Sequence, residues 1–324
     1  MFFPRDFSAA LACVIWCAVA SCLAAADAPP AFTLGSNDVV AFAGGSDVAA
    51  AQDSAHLETL LAAKFPGARF RNFGWEGDTV FAQRRDVGFP PLSEHLKRAR
   101  VTVLFLEFGR AEALNGNESV PNFFAAFEKL LNECVKQTPH ILLVTPPPFE
   151  SGGDLLPDLS KRNGQLAAHV NAIRTLAKQR SAPLVDLFAE FGGATHEEPQ
   201  LTDNGLQFTP RGQALVAARF ARQLGFPELA SRAGSMRADG AWSNSEFEKL
   251  RQLVIEKNKL WFNYWRPQNW AFLGGDRTSQ PSSRDHRNPN VRWFPAEMEK
   301  YVPLIQEKEA EIEQVAATIR GGVK

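Results

Sequence analysis

The residues with the most chemistry to offer in this chain are its histidines and a serine-aspartate pair behind two glycines. The histidines are His56, His95, His140, His169, His196 and His286. An imidazole titrates near neutrality and can act as a general base, but only where the fold brings it to a reacting group; otherwise it is a surface or capping side chain. His196 precedes a turn-rich block and is within reach of the strand ends. His56 opens a helix, and His286 lies in an arginine-rich loop beside Arg284, Asp285 and Arg287. Asp47, next to Ser46, is suited either to orienting a bound hydroxyl or to stabilising its own turn. Gly44-Gly45 and Gly192-Gly193 lack the surroundings of a phosphate cradle and read as turn glycines. No His-x-x-x-His, cysteine pair or carboxylate cluster has metal-ligand spacing, so no metal or other cofactor is expected.

These side chains need a scaffold, and from about Asn37 to Phe226 strand-like and helix-like stretches alternate. Val39 to Ala43 reads as a buried strand ended by Gly44-Gly45, and Arg69 to Phe73 as a second. Val101 to Phe108, nearly continuous in Val, Leu and Phe, has the composition of a strand buried on both faces. Ile141 to Val144 and Leu184 to Leu187 complete the set. Helices are expected over His56 to Phe65, Phe123 to Val135, Leu166 to Ala177 and Pro210 to Leu224. Alternation of this kind predicts a three-layer α/β/α fold with a parallel sheet, whose site lies beyond the carboxyl ends of the strands. From about Arg232 the character changes. Ser245-Glu246-Phe247-Glu248 has the form of a capping box, and Phe247, Leu250, Val254, Trp261 and Trp265 share one helical face up to Pro267. A last helix follows Pro303, with Ile305, Ile312, Val315 and Ile319 on one stripe. Five of the seven tryptophans lie in this last quarter, as buried packing or as an aromatic binding surface.

Composition narrows the partners. The chain has 324 residues, 45% hydrophobic and 22% charged, and a net charge of −1. Its length suits about two domains, and its near-neutral balance lacks the basic excess of a nucleic-acid binder. Cys13, Cys17 and Cys22 crowd into the first residues and leave only Cys134 in the body, which excludes a disulfide scaffold. The crowding belongs to a targeting segment. Arg5 precedes an apolar stretch from about Ala9 to Ala26, and Ala24-Ala25-Ala26 provide a signal-peptidase site before Asp27. Val19-Ala20-Ser21-Cys22 also resembles a lipobox, which would place a lipid anchor at Cys22, and an uncleaved anchor is the third alternative. The expected plan is a signal peptide over 1–26, a main domain over 37–226 and a helical, Trp-rich extension over 240–324. The mature chain has no membrane span in this plan and lies in the periplasm or outside the cell.

Four stretches at the strand ends carry a resemblance. They are Phe42 to Asp47, Asn72 to Thr79, Phe108 to Glu112, and Leu201 to Gln207. Together they resemble the four blocks of the SGNH (GDSL-type) hydrolases, most closely the exported SGNH-like proteins of planctomycete-type bacteria. The Asn-x-Gly-x-x-Gly-Asp-Thr string is the most specific of the four. The resemblance implies a flavodoxin-like sheet and acyl or ester hydrolysis. Ser46 matches the nucleophile. The Ser46 and Gly77 amides match two donors of the oxyanion hole, which stabilise charge that develops only in the transition state.

The chain departs from the family where proton transfer is carried out. Gly45 replaces the aspartate beside the nucleophile, and Ala111 replaces the asparagine of the oxyanion hole. Asn204 and Gln207 occupy the acid and base positions. Glutamine does not accept and return a proton near neutral pH. Three functions remain open: a weak or inactive hydrolase whose cleft still binds a glycan or an acyl ester; a working serine esterase or deacetylase with a base from elsewhere; and a structural or interaction protein. Oligomeric state is not legible in the sequence.

Overall fold

Val103–Glu107, inside the stretch expected to be buried on both faces, forms the central strand, β3, of a five-stranded sheet. In this computed structural model residues 32–114, 119–195 and 200–321 are described. The targeting segment, Cys22 and His196 lie outside them. β1 (Val39–Gly44), β2 (Arg69–Asn72), β4 (His140–Thr145) and β5 (Leu184–Asp186) complete the sheet in the order β2-β1-β3-β4-β5, every pair parallel. Chain order reverses between β1 and β3, and a crevice opens there beyond the strand ends. Alternation along the strands sends Ala41, Leu104 and Leu106 into a core with Phe123, Phe127 and Ile173. On the opposite face Phe42 stacks on Phe105 with ring centroids 5.4 Å apart, and Phe220 meets Phe105 edge-on.

Helix positions follow the expected pattern with shifted ends: His56–Lys64, Val120–Val135, Asn163–Arg180 and Pro210–Gln223. One helix was not expected. Ser46–Ser54 starts directly at the serine, with Gly45 as its N-cap residue, so Ser46 heads a helix instead of sitting in an open turn. Its alanine-rich sequence carries no clear apolar stripe, which hid it. Two shorter helices, Leu92–Arg98 and Pro227–Ala233, were also not expected.

The extension is part of the main body, because Thr33 to Lys324 form one compact unit. Its long helix runs from Ser245 to Trp265. The cap is Asn244, one residue before the expected capping box: its side chain accepts from the Glu246 and Phe247 amides, while Glu248 accepts from the Trp242 amide. Trp261 and Trp265, each 6% exposed, join the same core cluster as Leu104 and Phe127. Burial of each indole contributes on the order of a few kcal/mol. Lys257 is 1% exposed; it pairs with Glu58 at 2.6 Å and donates to the Phe70 carbonyl at 3.0 Å. The final helix, Tyr301–Gly321, covers the long helix and buries Ile305, Ala316 and Ile319.

Candidate active site

The crevice beyond β1 and β3 holds a cleft of about 520 Å³. Gly44 and Gly45 bring the chain into it by close backbone approach. A Cβ on Gly44 would stand 2.3 Å from the Glu107 carbonyl oxygen, and one on Gly45 would stand 2.8 Å from that of Asp78. The aspartate that the family places at Gly45 therefore has no room here. The next turn is equally tight. Asn72 donates to the Val48 carbonyl at 2.7 Å and accepts from the Gly74 amide at 2.7 Å, which lays the Gly74–Asp78 loop on the first turn of the Ser46 helix. Gly77 then adopts a left-handed φ of +78°, as glycine does without strain, and its amide donates to Ser46 Oγ at 3.3 Å.

Arg110 and Ala111 follow β3. Glu112 folds back to accept from the Gly109 amide at 2.9 Å and from the Val80 amide at 2.8 Å, so this buried carboxylate organises the turn. The Arg110 side chain, 6% exposed, donates through Nη1 to both oxygens of Asp47 at 3.1 Å. Its guanidinium carbon lies 4.6 Å from the Phe208 ring centroid and 5.2 Å from that of Phe149. Glu107, at the end of β3, also lines the cleft. Burial first, and then the nearby charge of Asp47, push its carboxyl up to about 8, so it is largely protonated at neutral pH.

The fourth wall is a turn braced from within. Glu150, 5% exposed, accepts from the Leu201 and Thr202 amides at 2.7 Å each. The Asn204 side-chain oxygen accepts from the Leu206 and Gln207 amides at 3.0 and 2.7 Å, while its nitrogen donates to Gln207 Oε1 at 3.1 Å. The two residues that the resemblance aligns with the acid and base positions thus hold each other, amide to amide.

Gly45, Ser46, Asp47, Ala111 and Gln207 all line the cleft; Gly77 reaches it through its amide, and Asn204 bonds to Gln207 at its wall. The described histidines stand elsewhere. His56 is buried with Nε2 bonded to the Gly240 carbonyl, and His95 lies among Phe73, Phe89 and Trp265. His140 begins β4, at the opposite end of the sheet from the cleft. His169 bonds Ser119 and the Gln165 carbonyl, and exposed His286 stacks on Trp293. Arg284 and Arg287 are likewise not among the cleft residues. Glu107, Arg110 and Glu150 were missed by sequence reasoning. The only signal was one acidic residue in an otherwise apolar strand, and one arginine three residues after it.

Residues 33–215 match the GDSL-like Lipase/Acylhydrolase family, and the chain belongs to that family. A comparison with curated protein sequences finds no significant match. Among solved structures, the fold is similar to a gut microbial diltiazem-metabolizing enzyme: 12% identity, TM-score 0.55, covering 89% of this chain and 95% of that one. Axe2, an acetylxylan esterase from Geobacillus stearothermophilus, matches at 18% identity and TM-score 0.45, over 60% of this chain and 97% of that one. A lipase/acylhydrolase from Enterococcus faecalis matches at 21% and 0.45, over 62% and 100%. At 12% identity the likeness to the diltiazem-metabolizing enzyme is one of fold.

Proposed function

We propose that this family member is exported and keeps its cleft as a binding site for a glycan or an acyl ester, with weak or no hydrolysis. The observation that carries this is the Asn204–Gln207 hydrogen bond. Two amides satisfy each other where an acid–base dyad would work, and neither takes a proton from Ser46 near neutral pH. Ser46 with the Gly77 amide still forms a polar pocket for an ester carbonyl. In this reading cleavage precedes Asp27, with lipidation at Cys22 as the alternative; the N-terminal mass of the processed protein distinguishes them. Among the described residues, no helix is long and apolar enough to cross a membrane.

Hydrolysis of p-nitrophenyl acetate by the wild-type chain and by Ser46→Ala tests the proposal. Equal rates, and no labelling of Ser46 by a fluorophosphonate, are the expected result. Combining Ala111→Asn, Asn204→Asp and Gln207→His should then create Ser46-dependent turnover, because all three positions lie at the cleft. A second reading, an active esterase with a substitute base, is favoured by one feature: Glu107 lines the same cleft with its carboxyl pushed up to about 8. A Ser46-dependent rate that rises through about pH 8 and disappears in Glu107→Gln would establish that reading instead.

A further inference from the structure

The Gly77 amide is a backbone donor aimed at Ser46 Oγ, and its two chain neighbours are each gripped by an arginine. Arg85 donates through both terminal nitrogens to the two oxygens of Asp78, at 2.7 and 2.6 Å. Arg266 donates to Glu76 Oε2 at 2.6 Å. Both guanidinium groups also lie over the indole of Trp75, the first residue of the same turn. The Arg266 carbon is 3.6 Å from the ring centroid and the Arg85 carbon 4.0 Å. At such separations two guanidinium groups do not fit on one face, so they clasp the indole from opposite sides.

Arg266 belongs to the extension and directly follows the last residue of its long helix. That helix meets the loop at successive points. Trp261 Nε1 donates to the Asn72 carbonyl at 3.0 Å, and Asn72 in turn bonds the Gly74 amide. Trp265 meets Phe73 and Trp75 edge-on, at 5.2 and 5.7 Å between centroids. Arg266 then reaches Trp75 and Glu76. The pairs are unequal: the Arg85 and Asp78 side chains are 12% and 6% exposed, whereas Glu76 is 59% exposed. A solvated ion pair holds little by itself, so the grip of Arg266 comes mainly from the indole stack.

We propose that the C-terminal extension is a working part of the cleft: Arg266, together with Arg85, positions the Trp75–Asp78 turn so that the Gly77 amide faces Ser46 Oγ and is ready to bind the oxygen of an acyl ester or its tetrahedral adduct. Both arginines are positioning residues. The ligand assignment rests on the proposed function; the positioning itself does not.

The experiment uses the full chain and the variants Arg266→Ala, Arg266→Lys and Arg85→Ala. Amide hydrogen exchange of the segment 73–80 is read against that of β3, and p-nitroacetanilide, an unreactive analogue of an acyl ester whose binding needs no attack by Ser46, is titrated. Arg266→Ala should speed exchange in 73–80 by about tenfold or more and leave β3 protected, since only a local opening is relieved of restraint. Arg266→Lys keeps a charge for Glu76 but loses the planar stack, so its exchange should stay closer to Arg266→Ala than to wild type. Affinity for p-nitroacetanilide should fall in parallel by about tenfold. Unchanged exchange in 73–80, or equal acceleration in β3, overturns the proposal, the latter because it marks a purely structural role. If wild type does not bind p-nitroacetanilide, the acyl-ester reading fails, and the exchange data still decide whether Arg266 positions Gly77.

Discussion

Glu107 concentrates the electrostatics of the cleft in one side chain. Its carboxyl ends an apolar strand, lines the cleft together with Asp47, and is raised from the ordinary glutamate value to about 8. The sign of the linkage follows. Between about pH 4.5 and 8 the unfolded chain releases this proton while the folded one keeps it, so folding stability declines over that window and levels off above it. Glu107→Gln keeps the shape and stays neutral at every pH. Its melting temperature relative to wild type should therefore climb between pH 5 and 8, by on the order of several degrees. A constant difference across that range would mean that Glu107 is ionised in the folded protein. Its neighbour Arg110, which bonds Asp47, would then be neutralising two carboxylates.

Among the elements, the Ser245–Trp265 helix does most to join the two ends of the chain. Lys257 reaches from its buried face to Glu58 on the His56–Lys64 helix and to the Phe70 carbonyl in β2. Burial lowers the ammonium pKa, and Glu58 opposes that shift. Removing one partner of a buried pair leaves the other charge stranded, at a cost of about 3–5 kcal/mol. Lys257→Ala should be destabilised by that amount in denaturant unfolding. The double variant Lys257→Met with Glu58→Leu, which replaces both charges with apolar groups, should recover most of it. If Lys257→Ala alone is silent, the helix is held by its apolar face and the ion pair adds nothing.

For the whole molecule, two buried histidines mark the seams along which the extension meets the main domain. His56 bonds Gly240 and packs edge-on against Trp242, and His95 packs against Trp265. Burial lowers both to about 4, so each is neutral in the folded chain while the unfolded chain protonates it near 6.5. Their contribution is complete above about pH 6.5 and is lost as pH falls toward 4. The full loss is on the order of 3 kcal/mol apiece, from 1.36 kcal/mol per unit. Glu107 works in the opposite sense over much of the same range, so in the wild-type chain the two effects partly cancel. The Glu107→Gln background removes the opposition. There, denaturant unfolding should show a steep loss of stability from pH 6.5 to 4, and adding His56→Gln should flatten it. An acid limb unaffected by His56→Gln would place the titrating groups elsewhere.

What the sequence by itself determined was whatever local pattern encodes. Val103–Glu107 had to be a central strand because its residues suit no exposed face. The four blocks stood legible at strand ends, and residue type alone says that Ala111 has no side-chain donor and that Gln207 does not titrate. The Ser46–Ser54 helix escaped notice for want of an apolar stripe, and the Asn244 cap was misplaced by one residue because neighbouring residues compete for the same amides. The tertiary structure alone decided the rest. Arg110 finds Asp47 across 63 residues of chain, and Arg266 finds Glu76 across 190. No periodicity records such pairings, since each partner is an ordinary charged residue in its own neighbourhood. Glu107 acquires its raised pKa only when folding removes it from water beside Asp47. The hydrogen bond from the Asn204 amide to Gln207 likewise exists only in a turn that Glu150 braces from another part of the chain. Local spacing can announce where the blocks of a site lie; the environment that determines what the residues do there is assembled from distant segments.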